Sequence, residues 1–109
     1  MRGTYLGEFQ ELVLLSILVL AKQAYGVSIQ EKIGNKTGRA ISRGALHSAL
    51  SRLEDKGYIE SEFGEATAER GGRRKKFYQL TNLGQKALNE AKSIRESYYS
   101  AIDLRTQNS

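Results

Sequence analysis

Cysteine, proline and tryptophan are absent from this chain, and histidine and methionine occur once each. Without cysteine there is no disulfide and no thiolate metal site, which fits a reducing compartment. Without proline, and with no low-complexity tract or internal repeat, nothing marks a domain boundary. The single histidine, His47, limits catalysis. A metal site would have to combine one imidazole with carboxylates, and no such cluster is spaced for it. A nucleophile–base pair would also depend on His47, and Ser48 and Ser51 beside it on the same stretch have no orienting carboxylate. No catalytic residue, no metal and no cofactor is therefore expected. Long apolar runs are missing too. Leu12 to Ala21 is ten residues long with Ser16 inside it, whereas a membrane span needs roughly 20. Lys22-Gln-Ala-Tyr, which follows, gives no clear signal-peptide cleavage site. The expectation is a cytoplasmic protein with no membrane contact.

What remains is 109 residues, enough for one small domain, with 39% apolar and 27% charged residues, a globular balance. A domain of this size holds one core and leaves room for help from a partner subunit. The formal net charge is +5. That sign favours polyanions, nucleic acid first and an anionic membrane second.

The chain is organised around the stretch from Ile41 to Gly57. Ser42 is a good helix N-cap, because its hydroxyl can accept from a free backbone N–H in the first turn. Leu46, Ala49, Leu50 and Leu53 then recur at helical spacing and make one apolar face. Gly57 supplies the left-handed residue that stops the helix. The other face is Gly44, His47, Ser48 and Ser51, with Arg43 in the first turn and Arg52 on the flank. Small, hydrogen-bonding and cationic side chains suit close approach to a duplex major groove. The alternative is an ordinary amphipathic helix with a solvated outer face. Before it, the spacing predicts a helix over about 27–36, ended by Thr37-Gly38, with Arg39-Ala-Ile-Ser as a short turn. Helix, short turn, helix is the helix-turn-helix arrangement.

After Gly57 the period changes to two. Tyr58 to Phe63 alternates, with Ile59, Ser61 and Phe63 on one face and Tyr58, Glu60 and Glu62 on the other. Lys75 to Thr81 reads as a second strand. Between them lies a polar loop with a basic tip, in which Arg70, Gly71, Gly72, Arg73, Arg74 and Lys75 are the candidates for phosphate or minor-groove contact. A basic run alone is usually a solvated turn. This one forms a wing directly after a helix-turn-helix.

Two more helices bracket this unit. The first begins at Glu8 after a loose start from Met1 to Gly7, and it is apolar nearly all round. Such a helix is buried on more than one side. The last runs from about Asn82 to Leu104, capped by Thr81, with a frayed tail from Thr106. Ala87, Ala91, Ile94, Tyr98 and Ala101 form a heptad seam on it. Phe9, Val13, Ala87, Ala91, Ile94, Tyr98 and Ile102 are the candidates for a homodimer interface. The alternative is packing within one chain, the last helix folding back through Leu88 and Ile102. The fold class is mainly α with a small two-stranded wing. Residues 1–81 form the DNA-binding part, and residues 82–109 a dimerisation helix folded as one unit with it.

Five pieces in order carry a likeness: Leu6-Gly-Glu-Phe-Gln-Glu-Leu-Val-Leu-Leu, Ala24-Tyr-Gly-Val-Ser-Ile, Gly44-Ala-Leu-His-Ser-Ala-Leu-Ser-Arg-Leu-Glu, Glu69-Arg-Gly-Gly-Arg-Arg-Lys and Leu80-Thr-Asn-Leu-Gly. Together they resemble the PadR family of bacterial transcriptional regulators, in its short form with one C-terminal helix. The resemblance implies a winged helix-turn-helix, a homodimer built by the first and last helices, and a role that is mostly repression. In some members a flat aromatic compound between the subunits releases DNA. The chain departs from the pattern twice. His47 stands where tyrosine is common, and no tryptophan is available to line an inter-subunit ligand pore.

The resulting expectation is a repressor that places two copies of helix 42–56 in successive major grooves, roughly 34 Å apart, on an inverted repeat of double-stranded DNA. A small hydrophobic or aromatic effector is a further possible partner. The rival functions are a ligand sensor with weak DNA binding and a winged-helix module that docks protein through its basic wing.

Overall fold

The computed structural model describes residues 6–64 and 74–108, and side chains as far as Ile102. Its elements are α1 (Glu8–Leu20), a single 3-10 turn at Ala21–Gln23, α2 (Gly26–Thr37), α3 (Arg43–Asp55), β1 (Ile59–Phe63), β2 (Lys76–Leu80) and α4 (Asn82–Asn108). Each helix forms where the spacing predicts it. α4 runs past the expected end near Leu104 and as far as Asn108. Neither glycine nor proline follows Gly84 to stop it.

One core joins these elements. Val13, Leu14 and Ile17 of α1, Ile29 and Ile33 of α2, Leu46, Leu50 and Leu53 of α3, and Ala87 and Leu88 of α4 are all buried in it. The two strands pair antiparallel, with Ile59 opposite Leu80 and Phe63 opposite Lys76. Ile59, Ser61 and Phe63 share the sheet face turned to α3, where the Ser61 hydroxyl donates to Glu54 at 2.7 Å.

Tyr58 departs from the alternation read in the sequence. β1 begins one residue later, and Tyr58 is 1% exposed, the largest fully buried side chain among the described residues. Gly57 at φ +81° turns the chain between α3 and β1, and Tyr58 follows that turn inward rather than joining the pleat. Burial, and then the nearby Glu90 carboxylate, push its phenol above the usual value. Among the described residues its hydroxyl finds no hydrogen-bond partner.

The apolar surface of α1 also falls differently from expectation. Val13 is 0% exposed and packs in its own chain's core, as does Ala87 of α4. Neither has surface to give a second subunit. Phe9 and Ala91 are half-buried against the same core. The exposed apolar side chains of α1 are Leu15, Leu18 and Val19, and those of α4 include Ile94, Tyr98, Tyr99 and Ile102. Leu88 packs back on the domain, Ala91 lies against the same core, and Arg95 reaches Glu11 of α1, so the first half of α4 folds onto its own domain.

Candidate nucleic-acid interface

Local rules set the start of α3. The Ser42 hydroxyl accepts from the Ala45 N–H at 3.0 Å, as an N-cap should. α2 ends at Gly38, whose φ of +73° is left-handed. The turn between the helices is tied down by Gln30, whose side-chain amide donates to the Ile41 carbonyl at 2.6 Å. These contacts fix the angle at which α3 leaves α2.

Leu46, Ala49, Leu50 and Leu53 face the core, and Ser42, Arg43, Gly44, His47, Ser48 and Ser51 are all exposed together on the opposite side. The structure therefore brings all six α3 candidates onto one surface. Among the described residues the ion pairs are Arg39 with Glu8 and Arg95 with Glu11, so Arg43 is not neutralised by an acid. Gly44 has open space where a Cβ would be, which leaves backbone accessible between Arg43 and His47. A shallow, mostly apolar cleft bordered by Val27, Gln30, Arg43, His47 and Tyr78 continues this surface toward the wing.

The wing is anchored to the helical domain at its base. The Tyr78 N–H donates to the Ala24 carbonyl at 2.9 Å. Tyr25 and Phe77 meet edge to face, with centroids 5.6 Å apart. Burial, and then the Glu54 carboxylate, raise the Tyr78 phenol above its ordinary value, so it stays a neutral hydrogen-bonding group. Arg74 and Lys75 emerge at the neck of the hairpin, beside Phe63 and Tyr25. Arg70, Gly71, Gly72 and Arg73 lie outside the described residues.

Sequence reasoning missed Tyr25, Phe63 and Lys76 at the neck, and Leu15, Leu18 and Val19 on α1. The cross-strand register gives away Phe63 and Lys76, since it seats them opposite each other. Nothing in the α1 sequence separates its buried from its exposed apolar residues. Among the described residues no group of three His, Asp or Glu could hold a metal, and no described helix is long and apolar enough to cross a membrane.

Comparison with known proteins gives a consistent result. The family model described as the transcriptional regulator PadR-like family matches residues 14–90. An uncharacterized protein from Lysinibacillus sphaericus is 35% identical over 89 residues, covering 80% of this chain and 79% of that protein. Among solved structures, a transcriptional regulator from Clostridium thermocellum is 28% identical, with a TM-score of 0.68 over 91% of this chain and 96% of the other. A PadR family transcription regulator from Clostridium difficile is 26% identical, with a TM-score of 0.67 over 90% and 98% of the two chains.

Proposed function

This chain belongs to the PadR-like family of transcriptional regulators, and from that premise we propose that it is a homodimeric, cytoplasmic repressor of the winged-helix type, acting on double-stranded DNA rather than as an enzyme. The observation that carries the reading is the exposed face of α3. It presents Arg43, Gly44, His47, Ser48 and Ser51 with no neutralising acid among the described residues, on the side of the wing.

Each group has a definite part. Arg43 is the one side chain on this face able to grip a guanine edge with two hydrogen bonds, for a discrimination of about 1–3 kcal/mol. His47, Ser48 and Ser51 supply single hydrogen bonds. Ser42 holds the helix start and brings the first turn close to the duplex. Arg70, Gly71, Gly72, Arg73, Arg74 and Lys75 serve phosphates or the minor groove. With one bidentate reader per subunit, sequence preference rests partly on DNA shape.

The apolar surface of α1 and α4 supports dimerisation. Leu15, Leu18 and Val19 on one helix and Ile94, Tyr98 and Tyr99 on the other are large apolar side chains left exposed to water, as a partner-binding surface would be. Phe9, Ala91 and Ile102 are the further candidates on these two helices. A second copy of the chain would cover this surface and set the two α3 helices for an inverted repeat. A small hydrophobic or aromatic effector held between subunits would stack on Tyr98 and Tyr99, which are 70% and 63% exposed.

The test is selection of genomic fragments by the purified chain, followed by titration of the selected duplex at several salt concentrations. A dimer that neutralises about 6–10 phosphates loses roughly 10³–10⁵ in affinity between 50 and 200 mM salt. The reading expects an inverted repeat and a steep salt slope, with Arg43→Ala reducing the preference for the selected site over random DNA. Selection of no fragment above background rejects it.

A further inference from the structure

Three consecutive basic residues, Arg74, Lys75 and Lys76, form the neck of the hairpin, and each lies over an aromatic ring. The Arg74 guanidinium is 5.6 Å from the centroid of Phe63. The Lys76 ammonium is 5.8 Å from the same ring and 5.9 Å from that of Tyr78. Lys75 sits 4.1 Å over Tyr25. None of the three cations belongs to an ion pair among the described residues, although Glu60 and Glu62 stand on the neighbouring strand. Glu60 instead accepts from Gln79 at 2.8 Å.

Phe63 is the unusual member of this set. It is 60% exposed, so the core does not account for it. It pairs directly with Lys76 across the sheet and shares the face of Ser61, the side turned to α3. Its ring therefore lies on the sheet face that Ser61 turns to α3. A carboxylate at this position would also hold the two cations, but it would cancel the charge a phosphate needs. The electron-rich face of a ring attracts a cation and leaves its charge intact. Restricting these long side chains beforehand also lessens the freedom lost when DNA binds.

We infer that Phe63 is a positioning residue of the wing, holding Arg74 and Lys76 charged and extended beside α3 for the phosphates of a duplex. This rests on the DNA-binding reading above. Tyr25 does the same for Lys75 from the helical side, where Phe77 fixes its ring.

The test is duplex affinity of the full chain at fixed salt for Phe63→Leu and Phe63→Tyr, each also made in an Arg74→Ala/Lys76→Ala background. Phe63→Leu keeps an apolar side chain and removes the ring. It should weaken binding about tenfold, on selected and random DNA alike. Phe63→Tyr should bind as the parent does, and thermal unfolding should be unchanged in both. In the doubly substituted background Phe63→Leu should have no further effect, because the cations it positions are gone. Equal affinity of Phe63→Leu and the parent chain overturns the inference. So does an undiminished loss in the doubly substituted background, which would make Phe63 a direct DNA contact. If the parent chain itself binds no duplex, the DNA-binding reading falls first and this one with it.

Discussion

Gly84 on α4 lies against the backbone of Tyr58: a Cβ at Gly84 would stand 2.0 Å from the Tyr58 carbonyl oxygen and 2.9 Å from its carbonyl carbon. Hydrogen bonds tighten the same junction. The Thr81 N–H donates to the Tyr58 carbonyl at 3.0 Å, the Thr81 hydroxyl donates to the Gly57 carbonyl, and the Gly84 N–H donates to the Thr81 hydroxyl at 3.1 Å. The start of α4 is thus keyed to the turn between α3 and β1, and through it to the α3 surface.

This contact sets two effects of Gly84→Ala against each other. Alanine improves helix propensity by up to about 1 kcal/mol. Overpacking against a neighbour typically costs ~1–3 kcal/mol, and a backbone carbonyl cannot rotate aside as a side chain can. The clash should win, so the variant should melt below the parent chain by calorimetry. A higher melting temperature would mean that α4 slides freely at its start and that the close approach is not required.

The buried Tyr58 hydroxyl, without a hydrogen-bond partner among the described residues, makes a second prediction, in which pH matters. The folded-state value of the phenol is raised above its ordinary value of 10.0. The folded state therefore holds this proton where the unfolded chain releases it. The resulting stability is fully present below pH 10 and is lost as pH rises through the folded value. Tyr58→Phe should flatten the alkaline limb of the stability curve. At neutral pH it should match or exceed the parent, since an unsatisfied buried hydroxyl costs about 1–3 kcal/mol. Denaturant melts from pH 7 to 11 check both points. A clear loss of stability at pH 7 would show that the hydroxyl has a partner after all.

Arg95 of α4 and Glu11 of α1 form the ion pair that clamps the two helices. The Glu11 side chain is only 8% exposed and that of Arg95 51%. The Glu11 hydrogen bond, then its charge, raise the Arg95 pKa further. Arg95→Met should destabilise the fold, because it strands a buried carboxylate. Adding Glu11→Gln should restore part of the loss, since the amide needs no counter-charge. If the double variant melts no higher than Arg95→Met alone, the packing of the arginine stem, rather than its charge, holds the helices together.

The exposed apolar surface predicts the assembly state. Sedimentation should give a species of about twice the chain mass of 12.2 kDa. Leu18→Glu, on a side chain already 43% exposed, should give the monomer without loss of helix content. A parent chain that sediments as a monomer at micromolar concentration removes the paired-helix geometry from the proposed function.

The sequence by itself determined the parts that follow local rules. Ser42, the spacing of Leu46, Ala49, Leu50 and Leu53, and the left-handed Gly38 and Gly57 define α3 and its outer face without reference to the rest of the chain. Alternation defines the wing. In those stretches polar and apolar residues differ by position, so periodicity reports a face. Tertiary structure alone decided the rest. α1 is apolar on every side, so its pattern cannot say that Val13 turns inward and Val19 outward; its neighbours α2, α3 and α4 decide that. Tyr58 is drawn into the core by the turn at Gly57. Phe63 gains its cations only when strand register sets Lys76 opposite it and brings Arg74 alongside. Burial and contact belong to pairs of elements, and a single stretch of chain does not contain its partner.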